Sequence, residues 1–471
     1  MKKNLSILFF LVSSIVAIAI ISQKHMNAPQ VSAKPAANSP VSESNQIRNV
    51  LFVSFCSVNA NHLPTFGANI SDGNYPNMSR LFNSSFNFTS AYTNLSWSNA
   101  SRYFFSAKQI GSLVKRAGIL DAVENDVKVN YIHVGGELDV RAEYKQYFTD
   151  DRINLPLYNL DTITREIDKR NTAPYTKNLW VIHFKLMHYP YLSSNYLSSP
   201  AIMKKVFSDN ELKLISEYRK NPEQYPDKFA FFQIAFGDKK FEKLFFNKEN
   251  QYVAYVTDLE SVARWKRSKN SDIDLSILKK SYNLRLTAMD ELVGKILDYY
   301  SKIEHNTVLI ASGDHGESIT EHDYFSHGFI PYDEVIRFFY SIHFPFQQQK
   351  QIITAQINQS STSKIVNNIL KDGLTEDSFM STQVLKTRRD DYIMSFSCAG
   401  DIASIRIKNT WKFIYFINED RYRLFDLISD PNESIDVSKI NTKNENLSAA
   451  LKINILDVLA TRQVSKSACF K

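Results

Sequence analysis

The chain has 471 residues, 44% of them hydrophobic, with 56 basic and 49 acidic residues and a net charge of +7. That length suffices for one large domain or two ordinary ones, and the composition is that of a globular protein with a sizeable core. The charges are interspersed without a long basic block, which argues against nucleic-acid binding, and only three cysteines (Cys56, Cys398, Cys469) rule out a disulfide scaffold.

Lys2 and Lys3 precede an apolar run from Leu5 to Ile21, broken only by Ser6, Ser13 and Ser14. The run is about long enough to span a bilayer as one helix, and the lysines favour cytoplasmic retention of the first residues. Val31-Ser32-Ala33 offers a rival signal-peptide cleavage site, but it lies far from the apolar run. We therefore expect a membrane anchor over residues 1–25, with the body outside the cytoplasm, in the periplasm or extracellular space. There Cys398 and Cys469 are in a setting that permits pairing, although their spacing does not establish it. Residues 26–47, rich in Pro, Ala, Ser and Asn, read as a flexible linker.

Asn49–Phe55 is nearly all apolar, as a strand covered on both faces should be. Pro76–Phe82 reads as a short helix and Phe86–Tyr92 as a strand. Polar, hydroxyl-rich residues 96–102 follow, then a helical run towards Lys115. Val127–Val134 and Leu179–Phe184 are further strand candidates, the latter leading into Lys185-Leu186-Met187-His188-Tyr189-Pro190-Tyr191. Residues 192–280 are polar, aromatic and lysine-rich and read as an insertion over the sheet edge. Tyr282–Ile303 carries Leu286, Met289, Leu292, Val293, Ile296 and Leu297 at helical spacing. That helix feeds the apolar run Thr307–Ala311, the alternation expected of an α/β fold. Near the C-terminus, Ser404–Ile407, Trp411–Phe416 and Tyr422–Leu427 read as a small antiparallel sheet. The domain plan is thus anchor 1–25, linker 26–47, catalytic domain 48–345 with insertion 192–280, and a C-terminal part 346–471.

The chemistry-bearing stretch is Ser312-Gly313-Asp314-His315-Gly316-Glu317-Ser318. It follows the 307–311 strand, so a carboxylate and an imidazole fall at the strand's C-terminal edge, where ligands of open α/β sheets bind. Asp and His together suit zinc or a similar divalent ion. By itself such a pair is more often a solvated turn. His183, on an apolar strand, reads as a satisfied core histidine, Lys185 as a solvated lysine, and Glu317, Glu321 and His322 as supporting or surface residues.

With these pieces in order, the chain resembles the sulfatase branch of the alkaline phosphatase superfamily. The resemblance covers about Asn49 to Asn432. Asn49–Leu63 looks like the first strand and metal loop, and Tyr75–Tyr92 like the segment leading to the nucleophile. Ser98-Asn99-Ala100-Ser101-Arg102 looks like the nucleophile box, His188-Tyr189-Pro190-Tyr191 like the His-x-Pro-aromatic loop, and Gly313–Glu317 with His327-Gly328 like the second metal strand and its following loop. Leu424-Phe425-Asp426-Leu427 and Asp430-Pro431-Asn432-Glu433 resemble the C-terminal sheet signature. The 314–327 region is also similar to membrane-anchored phosphoethanolamine and lipoteichoic-acid transferases of the same superfamily.

The resemblance implies an alkaline phosphatase-like three-layer α/β sandwich with a mostly parallel central sheet. It implies a metal-dependent hydrolase of sulfate or phosphate esters, acting on a sulfated or phosphorylated glycan, lipid or small molecule. Ser98 is the implied nucleophile, Arg102 orients it or holds the ester oxygens, and His188 and His327 contact the ester or protonate the leaving oxygen. Two departures matter. The first metal loop reads Cys56 and Ser57 where carboxylates are usual, and a further Asp reads Asn61. The nucleophile box has Ala100 in place of its proline, which makes formylglycine at Ser98 doubtful. One outcome is a zinc site built from Cys56, Ser98, Asp314 and His315, since calcium wants more oxygen ligands. A transferase acting on an envelope lipid or glycan, or a fold that has lost its activity, are the alternatives.

Overall fold

The computed structural model describes residues 47–67, 70, 74–96, 127–134, 153–155, 160–170, 177–192, 200–237, 259–372, 379, 391–397 and 400–462. The expected membrane segment, Ser98, Arg102, Cys398 and Cys469 lie outside them. Among the described residues no helix is long and apolar enough to cross a membrane.

Strands β1 (Asn49–Phe55), β2 (Phe86–Tyr92), β3 (Val127–Val134), β4 (Ile153–Leu155), β5 (Lys177–Phe184) and β6 (Thr307–Gly313) build most of a nine-stranded sheet. The two-residue strands β7 (Ser318–Ile319) and β8 (Phe325–Ser326) form a separate ribbon. β9 (Arg337–His343), β10 (Gln351–Ile353) and β11 (Ile357–Asn358) complete the large sheet. Its order is β10-β2-β9-β6-β1-β5-β3-β4, with β11 also on β2. β1 pairs in parallel with β5 and β6. β9 runs antiparallel to both β2 and β6, so the sheet is mixed.

Strand periodicity divides the core into two layers. Leu51, Val53 and Phe55 point to one face with Trp180, Ile182, Phe184 and Leu309; Val50, Phe52, Leu179, Val181, Val308 and Ile310 point to the other. The first face is covered by the helix Ser271–Tyr300, the second by the helix Gln359–Asp372. Full burial of each Leu, Ile or Met side chain between these layers contributes about 1.5–3 kcal/mol.

The long helix begins at Ser271, earlier than the expected Tyr282. Its first turns carry the buried Asp274 on the inner face, which interrupts the apolar period. Lys228, Trp265 Nε1 and Tyr218 Oη all donate to that carboxylate. Within 192–280 the described α-helices before the long one are Pro200–Val206, Asp209–Lys220, Phe229–Ala235 and Leu259–Arg267.

Four antiparallel strands, β12 (Tyr392–Phe396), β13 (Ile402–Ile407), β14 (Trp411–Phe416) and β15 (Arg421–Asp426), form the smaller sheet. The helix Thr442–Arg462 packs on it through Leu451 and Ile455.

Candidate active site

The register of β1 against β6 pairs Phe55 with Gly313, and that of β1 against β5 pairs Phe55 with Phe184. Residues 56, 185 and 314 therefore leave the sheet side by side at its C-terminal edge. Main-chain bonds continue past the edge: Cys56 N–H donates to Phe184 O at 2.9 Å, Asp314 N–H to Phe55 O at 3.1 Å and Val58 N–H to His315 O at 3.1 Å. Ser57 takes the left-handed conformation (φ 61°), and its N–H donates to Asp314 Oδ1 at 3.1 Å.

Cys56, Asp314 and His315 converge there, all buried, with one ligand atom from each within 4.8 Å of the others. Cys56 Sγ lies 3.9 Å from His315 Nε2, which is 3.6 Å from Asp314 Oδ1. His315 Nδ1 donates to Gly316 O at 2.7 Å. A carbonyl can only accept, so the neutral ring carries its proton on Nδ1 and offers the Nε2 lone pair. Asp314 Oδ2 is buried and has no hydrogen-bond partner among the described residues. A buried carboxylate oxygen left bare is costly, and a cation held with Cys56 Sγ and His315 Nε2 would relieve it. The residues present thus fit a divalent metal, through a mixture of sulfur, oxygen and nitrogen donors.

Three more imidazoles line the same edge. His183 Nδ1 is 3.2 Å from Ser54 Oγ, and its Nε2 is 4.0 Å from Asp314 Oδ2. It is buried and bonded as a core histidine should be, yet it also faces the candidate metal ligand. His188 Nδ1 donates to Tyr189 O at 2.5 Å. His327 lies between His315 and His188, with ring centroids 4.3 and 5.0 Å away. Burial, with His327 and Lys185 nearby, holds His188 well below the usual histidine range. Burial and His315 do the same to His327.

Glu317 is fully buried, not a surface residue. Its Oε2 is 2.7 Å from His327 Nδ1, and its Oε1 accepts from Tyr191 Oη at 2.9 Å. Burial pushes its carboxyl up to about 8, against the opposing pull of His315, Tyr191 and Ser57. The loop carrying His188 is clamped from the long helix. Arg285 donates to the carbonyls of Tyr191, Leu186 and Pro190 at 2.8, 2.8 and 2.7 Å. Asn61 sits at the rim, where its Oδ1 accepts from Arg337 at 2.9 Å.

Sequence reasoning left Glu317 between a supporting and a surface role, and the structure makes it a supporting one; it missed the parts played by Tyr191 and Arg285. A charged residue on an otherwise apolar helix face was the available signal for Arg285.

Ser98 and Arg102 lie outside the described residues, but the segment leading to them is anchored beside the site. Thr93 Oγ1 donates to Gln359 Oε1 at 2.8 Å, and Gln359 Nε2 donates to Asp314 O at 3.0 Å. Ser96 N–H donates to Phe396 O at 3.3 Å.

The family model described as Sulfatase matches residues 39–371. No curated protein matches the chain. Among solved structures, a protein captured with its substrate D-glucosamine-2-N,6-O-disulfate superposes with a TM-score of 0.57 at 14% identity, covering 90% of this chain and 100% of its own. A 2-O GAG sulfatase gives a TM-score of 0.55 at 12% identity, covering 88% of this chain and 92% of its own. The phosphonate monoester hydrolase of Agrobacterium radiobacter gives 0.55 at 13% identity, covering 88% and 96%. At these identities the likeness is one of fold.

Proposed function

The chain belongs to the sulfatase family, and from that premise we propose that it is an exported, membrane-anchored, metal-dependent hydrolase of sulfate or phosphorus esters with Ser98 as nucleophile. The observation that carries the reading is the convergence of Cys56, Asp314 and His315 at the C-terminal edge of the central sheet. The bond from Gln359 to Asp314 O, together with its bond to Thr93, supports the approach of the Ser98 segment to the same edge.

Cys56, Asp314, His315 and Ser98 would hold the ion, which we assign as zinc; bound there, it lowers the pKa of a coordinated hydroxyl and offsets charge on the ester oxygens. The protein's own groups do the rest. Ser98 Oγ, its proton passing to a neutral imidazole Nε2, attacks sulfur or phosphorus in line; the bond to the ester oxygen breaks, that oxygen takes the proton, and water then hydrolyses the serine ester and restores Ser98. Arg102 orients the nucleophile or holds the ester oxygens by charge-assisted hydrogen bonds. His188 and His327, each engaged at Nδ1, turn the other ring nitrogen to the ester. An unmodified serine is preferred to formylglycine, because Ala100 replaces the proline of the nucleophile box.

The fold's neighbour with a glucosamine disulfate makes a sulfated sugar the first substrate to test, with phosphate and phosphonate esters beside it. Purified protein should cleave at least one of an aryl sulfate, a phosphate mono- or diester and an aryl phosphonate. Ser98→Ala should lose activity by on the order of 10³-fold or more; activity unchanged in Ser98→Ala contradicts the mechanism. A second reading, transfer of a phosphoryl-linked group to an envelope lipid or glycan, is favoured by the run Asp314-His315-Gly316-Glu317-Ser318 followed by His327-Gly328. It predicts an altered envelope in cells lacking the protein.

A further inference from the structure

We propose that Glu317 is a positioning residue of this site: it fixes the ring of His327 through Nδ1, and Tyr191 fixes Glu317. The inference rests on the reading of the site given above and deepens it. Glu317 uses both carboxyl oxygens, Oε2 on His327 Nδ1 at 2.7 Å and Oε1 on Tyr191 Oη at 2.9 Å. Because the carboxyl is fully buried, water does not compete for either bond. Tyr191 is held in turn, since Arg285 Nε donates to its carbonyl at 2.8 Å while the same guanidinium closes the loop through Leu186 O and Pro190 O. A continuous chain of bonds therefore runs from the long helix through the 186–191 loop to the imidazole on the opposite loop.

A second metal ion is the competing use of these groups, because His315, Glu317 and His327 also bring ligand atoms within 4.8 Å of one another. His315 has one ring nitrogen to offer, its Nδ1 being engaged by Gly316 O. That Nε2 already faces Cys56 Sγ and Asp314 Oδ1. A second ion would then have only Glu317 and His327, and it would have to break the bond between them. The geometry favours one metal with an oriented imidazole beside it. An acidic partner on the far nitrogen of a working histidine is a general device for fixing ring orientation. Here it leaves His327 Nε2 for the substrate.

The test compares Glu317→Ala, Glu317→Gln and Tyr191→Phe in the zinc-loaded protein, on whichever aryl ester it cleaves. Glutamine can accept from His327 Nδ1 through its amide oxygen while its amide NH2 donates to Tyr191 Oη, alanine removes both bonds, and the tyrosine change removes only the anchor. Glu317→Ala should lower kcat by roughly 10–100-fold with KM nearly unchanged, in the range seen when supporting partners of site histidines are removed. Glu317→Gln should recover most of that loss, and Tyr191→Phe should fall between. A glutamine variant as slow as the alanine variant overturns positioning, because the carboxyl itself then exchanges a proton. If Glu317→Ala does not fold, a Tyr191→Phe enzyme indistinguishable from wild type overturns it instead. A readout free of turnover is proton NMR with ring-¹⁵N histidine. The proton shared by Glu317 and His327 should resonate downfield of the amides and vanish in His327→Gln. Its absence from the wild type overturns the inference even in an active enzyme. Its presence in a protein that cleaves no ester supports the inference and counts against the hydrolase reading. Binding of a second zinc that is lost in Glu317→Ala also overturns it.

Discussion

Gly316 separates the candidate ligands from Glu317, and the chain there leaves no room for a side chain. A Cβ built on it would stand 2.0 Å from Glu334 O, while its own N–H donates to Val335 O at 2.8 Å. The aim of Asp314 and His315 relative to Glu317 depends on that close approach. Gly316→Ala should therefore cost about 3 kcal/mol, at the upper end for overpacking, because backbone has to move. A melting temperature within error of wild type would contradict this. At the same scale, main-chain carbonyls set the tautomers of two of the histidines. His315 and His188 each spend Nδ1–H on a main-chain carbonyl, so their tautomers follow from the turns that carry them.

At the scale of elements, the turn Glu321–Asp323 ties the site's loop to the smaller sheet. His322 stacks on Tyr332 at 3.7 Å, donates from Nδ1 to Glu334 Oε1 at 2.8 Å, and from Nε2 to Asn432 O and Glu433 O at 2.9 and 3.0 Å. All its partners accept, so the ring must carry both protons. Burial alone would lower its pKa, but the bond and charge of Glu334 outweigh that and raise it to about 9. A folded-state pKa above the unfolded value stabilises most fully below pH ~6.5, and that contribution is lost as pH rises through about 9. The stability advantage of wild type over His322→Gln, about 3 kcal/mol at most, should shrink across that window. Thermal denaturation at pH 6 and pH 9.5 checks it; an advantage that stays constant or grows contradicts the assignment. Nearby, Asp333 accepts from Lys412 at 2.7 Å and pairs with Arg406 at 3.0 Å. Despite its burial, these two cations hold Asp333 well below the usual carboxylate range.

At the scale of the whole molecule, the strands that frame the site were legible because β1 and β6 are mostly apolar and buried along their whole length. Asp314 and His315 were legible because they follow such a strand directly, and Cys56 because it follows the other. The antiparallel direction of β9 was not, since the residues of a strand do not say which way it runs beside its neighbours. The start of the long helix was hidden by Asp274, a buried charge whose partners come from other helices. The partners of Glu317 were hidden for the same reason: only the fold brings Tyr191 and His327 to its two oxygens.

Binding of one ion by Cys56, Asp314 and His315 is tested most directly by cobalt(II) titration of the metal-free protein. A thiolate ligand gives a charge-transfer band in the near ultraviolet. This band should saturate at one equivalent and disappear in Cys56→Ser, and binding should be lost in Asp314→Ala. No band, or a band unchanged in Cys56→Ser, would contradict it.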